Sequence, residues 1–111
     1  MDNIKKDKYY FEKALADLNA IEKYFDNKTY DEFMSDELLI DAIMFRLVQL
    51  VENVKEISND FKSAHQEIPW SDIMGFRNRI VHEYGKTDYT IVYEVISKDL
   101  FDLKNLFMQN L

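Results

Sequence analysis

The sequence predicts an all-α protein, an up-and-down four-helix bundle with room for one extra short helix. Only 2 of its 111 residues are glycine and 1 is proline, so the chain lacks the turn formers that an all-β protein needs. Hydrophobic residues make up 47% of the chain and recur at spacings of three and four along several segments. Short polar links separate these segments, and helices joined by short links pack as antiparallel neighbours.

The first two helices follow from apolar stripes. One is predicted from Asp2 to Asp26. The stretch NKTYDEF interrupts this stripe, and Ser35 or Asp36 is a candidate N-cap because a short side-chain oxygen can accept from free amides of the next helix. That helix is predicted from about Asp36 to Phe61, where two heptad rows form a coiled-coil-like seam. The rows contain Ile40, Leu47, Val54 and Phe61, and Ile43, Leu50 and Ile57.

The last two helices are delimited by Pro69, Gly85 and Asp88. Pro69 suits the first turn of a helix predicted over Trp70–Tyr84. Gly85 follows at a position where a left-handed C-cap is usually glycine. Asp88 can cap a fourth helix from about Tyr89 to Gln109. Because 111 residues leave room for one core, residues 1–111 are expected to form a single domain.

Composition also restricts the class and the location of the protein. The chain has no cysteine, which excludes disulfides, zinc ribbons and thiol catalysis and suits a reducing cytoplasm. The N-terminal stretch lacks the apolar core of a signal peptide, and no run approaches the roughly 18 apolar residues of a membrane span. We therefore predict a soluble cytoplasmic protein without a membrane partner. The net charge of -7 repels a polyanion unless positive charge is concentrated locally.

The two histidines narrow the search for acid-base chemistry, because histidine titrates near neutral pH. His65 lies in the polar stretch SAHQEIPW and is expected to be a solvated surface residue. His82 lies in FRNRIVHEYGK, where Arg77 and Arg79 concentrate positive charge. On an ideal helix Arg77 and Tyr84 point nearly the same way, whereas Arg77 and His82 diverge by roughly 140°. The spacing of these residues alone is compatible with a catalytic site and with an ordinary polar helix surface.

The pattern R-x-x-x-x-H-x-Y, filled by residues 77–84, resembles the motif of HepT toxins in the HEPN superfamily. The stretch IPWSDIMGFRNRIVHEYGKTDYTIVYEVISKDLFDLKNLF resembles the same family from its Pro-Trp helix start to the end of its last helix. QLVENVKEIS resembles a family segment that usually contains Gly-Glu-Ala, although Val51 and Asn53 flank Glu52 in place of the glycine and alanine. The resemblance implies a helical bundle of HEPN type over nearly the whole chain.

The resemblance further implies an endoribonuclease that cuts RNA without a metal or a cofactor, using the ribose 2′-hydroxyl as internal nucleophile. His82 would move protons and Arg77 would hold the phosphate. Asn78 and Arg79 would support them. HepT toxins are neutralised by a minimal nucleotidyltransferase antitoxin, MntA, which transfers AMP to the motif tyrosine, here Tyr84. The sequence has no H-E-x-x-H pair or compact carboxylate motif, so no metal site is predicted.

The catalytic clefts of the family form where two protomers meet, which implies a homodimer here. Arg77 and His82 point apart on one helix, but those of two symmetry-related helices can converge on one site. A two-fold axis would also place two copies of the positive cluster together. Two other functions stay open: a non-catalytic HEPN module that binds substrate or partner for a nucleotidyltransferase, and a structural bundle that oligomerises through its second helix. The histidine of the motif favours the nuclease, because phosphate binding alone needs no proton-exchanging group.

Overall fold

The computed structural model describes residues 3–84 and 90–111, apart from the side chains of Arg77 and of residues 79–84. Every regular element in that part of the chain is helical, which confirms the predicted all-α helical bundle. The helices are α1 (Asn3–Phe25), α2 (Tyr30–Met34), α3 (Glu37–Lys55), α4 (Asn59–Ala64), α5 (Trp70–Tyr84), α6 (Thr90–Glu94) and α7 (Leu100–Gln109). None of these described helices combines the length and apolarity needed to cross a membrane.

Helices α1 and α3 form the centre of the bundle, α5 packs against α3, and α7 packs against α1. The heptad rows predicted for the second helix lie in this core, and only Phe61 among them is partly exposed. Phe11 of α1 stacks on Phe107 of α7 with ring centroids 4.6 Å apart. Because each fully buried large apolar side chain contributes about 1.5–3 kcal/mol, these stripes are the main source of stability.

The stretch NKTYDEF, expected only to interrupt the first stripe, contains the short helix α2. Helix α1 ends where Asp26 and Asn27 adopt left-handed φ values of 47° and 53°, which Asp and Asn tolerate better than most residues. The Thr29 hydroxyl then accepts from the Glu32 amide at 3.2 Å, and the Glu32 carboxylate accepts from the Thr29 amide at 2.9 Å. These two bonds form a capping box, and the hydrogen bonds that the Thr29 amide and hydroxyl donate to the carboxylate lower the pKa of Glu32.

The N-cap of α3 is Asp36, one of the two predicted candidates. Its carboxylate accepts from the Leu39 amide at 3.0 Å. Ser35 instead ends α2, and its hydroxyl donates to the Glu32 carbonyl at 3.1 Å. Ser35 therefore caps the end of α2, and Asp36 caps the start of α3.

The prediction of one helix from Asp36 to Phe61 is wrong near its end, because α3 ends at Lys55 and a separate helix, α4, begins at Asn59. The buried carboxylate of Asp7 accepts from the Ser58 amide at 2.8 Å and from its hydroxyl at 2.6 Å. The same hydroxyl accepts from the Phe61 amide at 3.2 Å and caps α4. A continuous helix would need the Ser58 amide for its own ladder, so this contact with α1 imposes the break.

The predicted last helix is confirmed from Thr90 to Gln109, but it contains a π-helical segment, Val95–Asp99. The Leu100 amide bonds to the Val95 carbonyl, which closes the wider turn. One additional residue per turn lets Val95, Ile96 and Leu100 all stay in the core. The predicted caps at Gly85 and Asp88 lie outside the described residues.

Candidate active site

Helix α5 carries all five residues that the sequence predicts for the site. Its backbone is helical over Trp70–Tyr84, the range predicted. The side chain of Asn78 is exposed on this helix, whereas those of Arg77, Arg79, His82 and Tyr84 lie outside the described residues. The surroundings of the site are therefore defined by the α5 backbone and by the side chains that pack around its first half.

Trp70 fixes the start of α5 to the rest of the bundle. Its indole nitrogen donates to the His65 carbonyl at 3.0 Å, and its ring lies 6.2 Å from Phe61 and 6.0 Å from Phe107, measured between centroids. The Lys62 ammonium lies 6.0 Å from the centre of the indole, and burial lowers the pKa of this amine. The first turn of the motif helix is thereby held against α4 and α7.

His65 is half-buried at the C-cap of α4, so the expectation of a solvated surface histidine is wrong. Its Nδ1 lies 2.7 Å from the Asn110 side-chain oxygen, and its ring stacks on Phe61 at a centroid distance of 4.2 Å. These contacts join the end of α7 to the turn before α5. Asn110 is 45 residues away in the chain, and a local polar pattern gives no sign of it.

An open groove of about 340 Å³ lies between α3 and α5, and we refer to it as the α3/α5 groove. Its lining residues are Val51, Glu52 and Lys55 from α3, and Met74, Gly75 and Asn78 from α5. Asn78 stands between the two motif arginines in the sequence. His82 follows Asn78 by four residues, about 6 Å along the helix axis. The groove therefore opens beside the motif, although the sequence alone identified only Asn78 among its residues.

Asn53, at the position where the resemblance to the family segment implies an alanine, has a structural role. It is 7% exposed and donates to the Asp17 carboxylate at 2.7 Å. The other oxygen of Asp17 accepts from the Arg46 guanidinium at 3.0 Å. The Tyr24 hydroxyl, 3.5 Å from this guanidinium, and the Asp17 carboxylate raise the pKa of Arg46. The substitution thus satisfies a buried carboxylate of α1 and fixes α3, which carries Glu52, against it.

Three large apolar side chains form an exposed line on α3, which we call the α3 outer stripe. Leu38 is 81% exposed, Phe45 62% and Val48 36%. Their spacings of seven and three place them on one helical face, and Glu52 and Lys55 continue that face to the groove. Adjacent exposed apolar side chains are typical of a surface that contacts another molecule.

A second groove, of about 450 Å³, lies on the other side of α1, between this helix and the π-helical segment with α7. Its Lys104 ammonium is 2.9 Å from the Glu22 carboxylate, so the two charges neutralise each other. It contains none of the predicted site residues. Within the described ranges, no three His, Asp or Glu side chains could together hold a metal ion.

The family of the chain follows from a match to a family model over residues 14–109, which include the motif helix and the α3/α5 groove. The model is that of the HepT-like proteins, described as "Ribonuclease HepT-like". The chain belongs to this family. The predicted relationship is thereby confirmed, and the prediction of a ribonuclease is confirmed at the level of the HepT-like family. No solved structure matches the chain.

Relatives of this HepT-like chain match most of its length. A protein of Thermococcus cleftensis named "Probable ribonuclease HepT" is 29% identical over 100 residues, or 90% of this chain and 91% of that protein. A "Putative RNase" of Caldanaerobacter subterraneus subsp. tengcongensis is 28% identical over 95 residues, or 86% and 85%. A Methanocaldococcus jannaschii protein named "Gamma-glutamylcyclotransferase and putative RNase" is 30% identical over 97 residues. The match covers 87% of this chain and 44% of that longer protein.

Proposed function

We propose that this chain is the toxin of a toxin–antitoxin pair and cleaves RNA through Arg77 and His82 without a metal ion. The observation that carries the proposal is the HepT-like match over residues 14–109, within which the R-x-x-x-x-H-x-Y pattern occupies helix α5. In this proposal residues 1–111 form one HEPN domain that acts in the cytoplasm.

In the proposed reaction, the ribose 2′-oxygen attacks the neighbouring phosphorus and the bond to the 5′-oxygen breaks, which leaves a cyclic phosphate. His82 takes the proton of the 2′-hydroxyl, and an imidazolium returns a proton to the leaving 5′-oxygen. Arg77 donates charge-assisted hydrogen bonds to the phosphate as negative charge develops. Arg79 adds positive charge, and the exposed amide of Asn78 is available to a phosphate oxygen.

Two copies of the chain are proposed to meet through the α3 outer stripe. Burial of each large apolar side chain of the stripe contributes up to about 1.5–3 kcal/mol. Helix α5 is the neighbour of α3, so a two-fold interface at this stripe brings two motif helices to one cleft. Arg77 of one copy and His82 of the other then act on one phosphate, although they diverge by roughly 140° on a single helix.

Tyr84 is the proposed site of control by a minimal nucleotidyltransferase like MntA. Its hydroxyl oxygen attacks the α-phosphorus of ATP, pyrophosphate leaves, and AMP stays on the tyrosine. Tyr84 follows Arg77 by seven residues, two helical turns, and so shares its face. The added nucleotide is bulky and anionic, so it occupies the phosphate site and repels RNA.

The decisive test compares the wild type with Arg77→Ala and His82→Ala for growth arrest and RNA cleavage, with and without the nucleotidyltransferase. Loss of a general acid-base group typically lowers the rate 10²- to 10⁴-fold, so we expect His82→Ala to lose at least about 99% of cleavage. Circular dichroism checks folding, and the exposed Lys98→Ala is the control variant. Normal cleavage by His82→Ala refutes the nuclease mechanism, whereas RNA binding without cleavage by the wild type favours the non-catalytic module.

A further inference from the structure

Gly75 lies inside α5, and no contact or backbone angle in the described part of the protomer requires a glycine there. Its φ is not in the left-handed region, and among the described residues a Cβ atom at this position would meet no atom within 4 Å beyond the backbone of its own helix. Glycine is less favourable than alanine inside a helix, so a glycine here lowers the stability of α5. Neither backbone conformation nor packing against α3 requires it. What the glycine provides is an α5 backbone that stays open toward the groove.

Lys55 is the cation on the opposite wall of the α3/α5 groove. Its side chain is exposed and, within the described part of the chain, has no carboxylate partner. Lys6, Arg46 and Lys104 each pair with a carboxylate, whereas Lys55 is the described cation that lines this groove. The carboxylate of Glu52 also lies in the groove, but it already has an interaction partner. The Lys55 ammonium is therefore available to bind an anionic group in the groove.

The geometry points to RNA: we propose that the α3/α5 groove binds the sugar-phosphate backbone of the RNA next to the bond that is cut, with Lys55 as a phosphate ligand. The inference rests on the proposed ribonuclease function and adds a second contact for its substrate. The Asn78 amide supplies a hydrogen-bond donor on the α5 wall, about 6 Å along the axis from His82. A strand that reaches His82 from this side passes between Lys55 and Gly75.

A second copy of the chain fits the groove less well than RNA does. The apolar part of the α3 face lies at Leu38, Phe45 and Val48, whereas the groove end carries a lysine, a carboxylate and an amide. The centres of protein interfaces are depleted in lysine, while contacts to nucleic acid rely on Lys, Asn and backbone amides at phosphates. The copy is therefore placed on the α3 outer stripe, and the RNA in the groove beside it.

The experiment measures binding of a fluorescent single-stranded 2′-O-methyl RNA of mixed sequence, which offers no free 2′-hydroxyl and so cannot be cut by the proposed route. Anisotropy titrations over a range of salt compare Lys55→Ala and Gly75→Ala with controls Lys98→Ala and Asn105→Ala. We expect Lys55→Ala to raise the Kd about three- to tenfold and to reduce the salt slope by about 0.7. Gly75→Ala is expected to raise the unfolding temperature yet weaken binding three- to tenfold.

The outcomes distinguish failure of the proposed groove from failure of the ribonuclease function. If the wild type binds and cleaves RNA while Lys55→Ala and Gly75→Ala match their controls, the groove does not bind RNA and the ribonuclease function stands. If Gly75→Ala lowers the oligomeric state in sedimentation while Lys55→Ala binds normally, a second copy occupies the groove and the proposal is overturned. If the wild type neither binds nor cleaves RNA, both proposals fail.

Discussion

At the residue scale, the buried carboxylate of Asp17 requires hydrogen-bond donors on the face of α3 that packs against it. The carboxylate is only 4% exposed, and both of its oxygens accept hydrogen bonds from α3, one from Asn53 and one from Arg46. A buried charge is stable only when it is paired and hydrogen-bonded. Asn53 therefore supplies one side of a buried polar contact between α1 and α3.

Replacement of Asn53 by alanine is expected to lower the free energy of unfolding by about 1–3 kcal/mol, because one oxygen of Asp17 loses its donor in a buried position. Urea denaturation followed by circular dichroism measures the change. Asn105→Ala, on the exposed face of α7, is the matched control and should leave stability unchanged or slightly higher. An unchanged midpoint for Asn53→Ala would mean that the contact contributes nothing to stability.

At the element scale, side-chain oxygens cap the ends of several helices, and the five-residue helix α2 has such a cap at its start. Helix α2 has five residues, too few to be stable alone, and its capping box joins Thr29 and Glu32. It places Tyr30 and Phe33 against Tyr93, with centroid distances of 5.3 and 5.7 Å. The Tyr30 hydroxyl lies 3.0 Å from the Thr90 hydroxyl. A short helix whose position the sequence did not predict therefore contacts the start of the last helix.

The capping box is expected to weaken in acid. The hydrogen bonds from Thr29 lower the pKa of Glu32 from 4.5, so the folded chain favours the carboxylate. This contribution to stability is complete above pH 4.5 and is lost as the pH falls through the lowered pKa. Amide exchange of α2, followed by NMR between pH 6 and 3, should accelerate in that window. Glu32→Gln should remove the acceleration, and its persistence would assign the effect to another carboxyl group.

The break between α3 and α4 belongs to the same scale. Heptad spacing continues through it, since Ile57 is buried and Phe61 still packs on Phe11 at a centroid distance of 5.3 Å. The apolar pattern therefore cannot reveal the break. It depends on the buried carboxylate of Asp7, 51 residues from Ser58, which takes the amide that a continuous helix would use.

At the scale of the whole molecule, the proposed function depends on a second copy of the chain. The α3 outer stripe exposes Phe45 and Val48 beside the neighbouring helix α5, and the net charge of -7 makes one protomer a poor ligand for RNA. Pairing two protomers would bury the stripe and bring the arginines of two motif helices together. Assembly and activity should therefore be lost together.

Phe45→Glu is expected to give a monomer that is folded, binds RNA weakly and does not cleave it, because two added carboxylates would face each other across the interface. Sedimentation velocity gives the oligomeric state, and cleavage is assayed on the same sample. Phe101→Glu, which changes a similarly exposed phenylalanine of α7, is the control and should stay dimeric and active. Undiminished cleavage by a verified Phe45→Glu monomer contradicts the shared cleft.

Local patterns in the sequence were sufficient to predict α1, α5, the last helix, the heptad rows and the family, because periodicity and caps involve residues within a few positions of one another. Packing between helices establishes four features that these patterns do not contain: the break at Ser58, the partner of His65, the bond between Asn53 and Asp17, and the groove between Lys55 and α5. Each of these depends on groups that are distant in the chain. A buried polar atom takes whichever partner the packed helices bring within reach, and no local pattern records that choice.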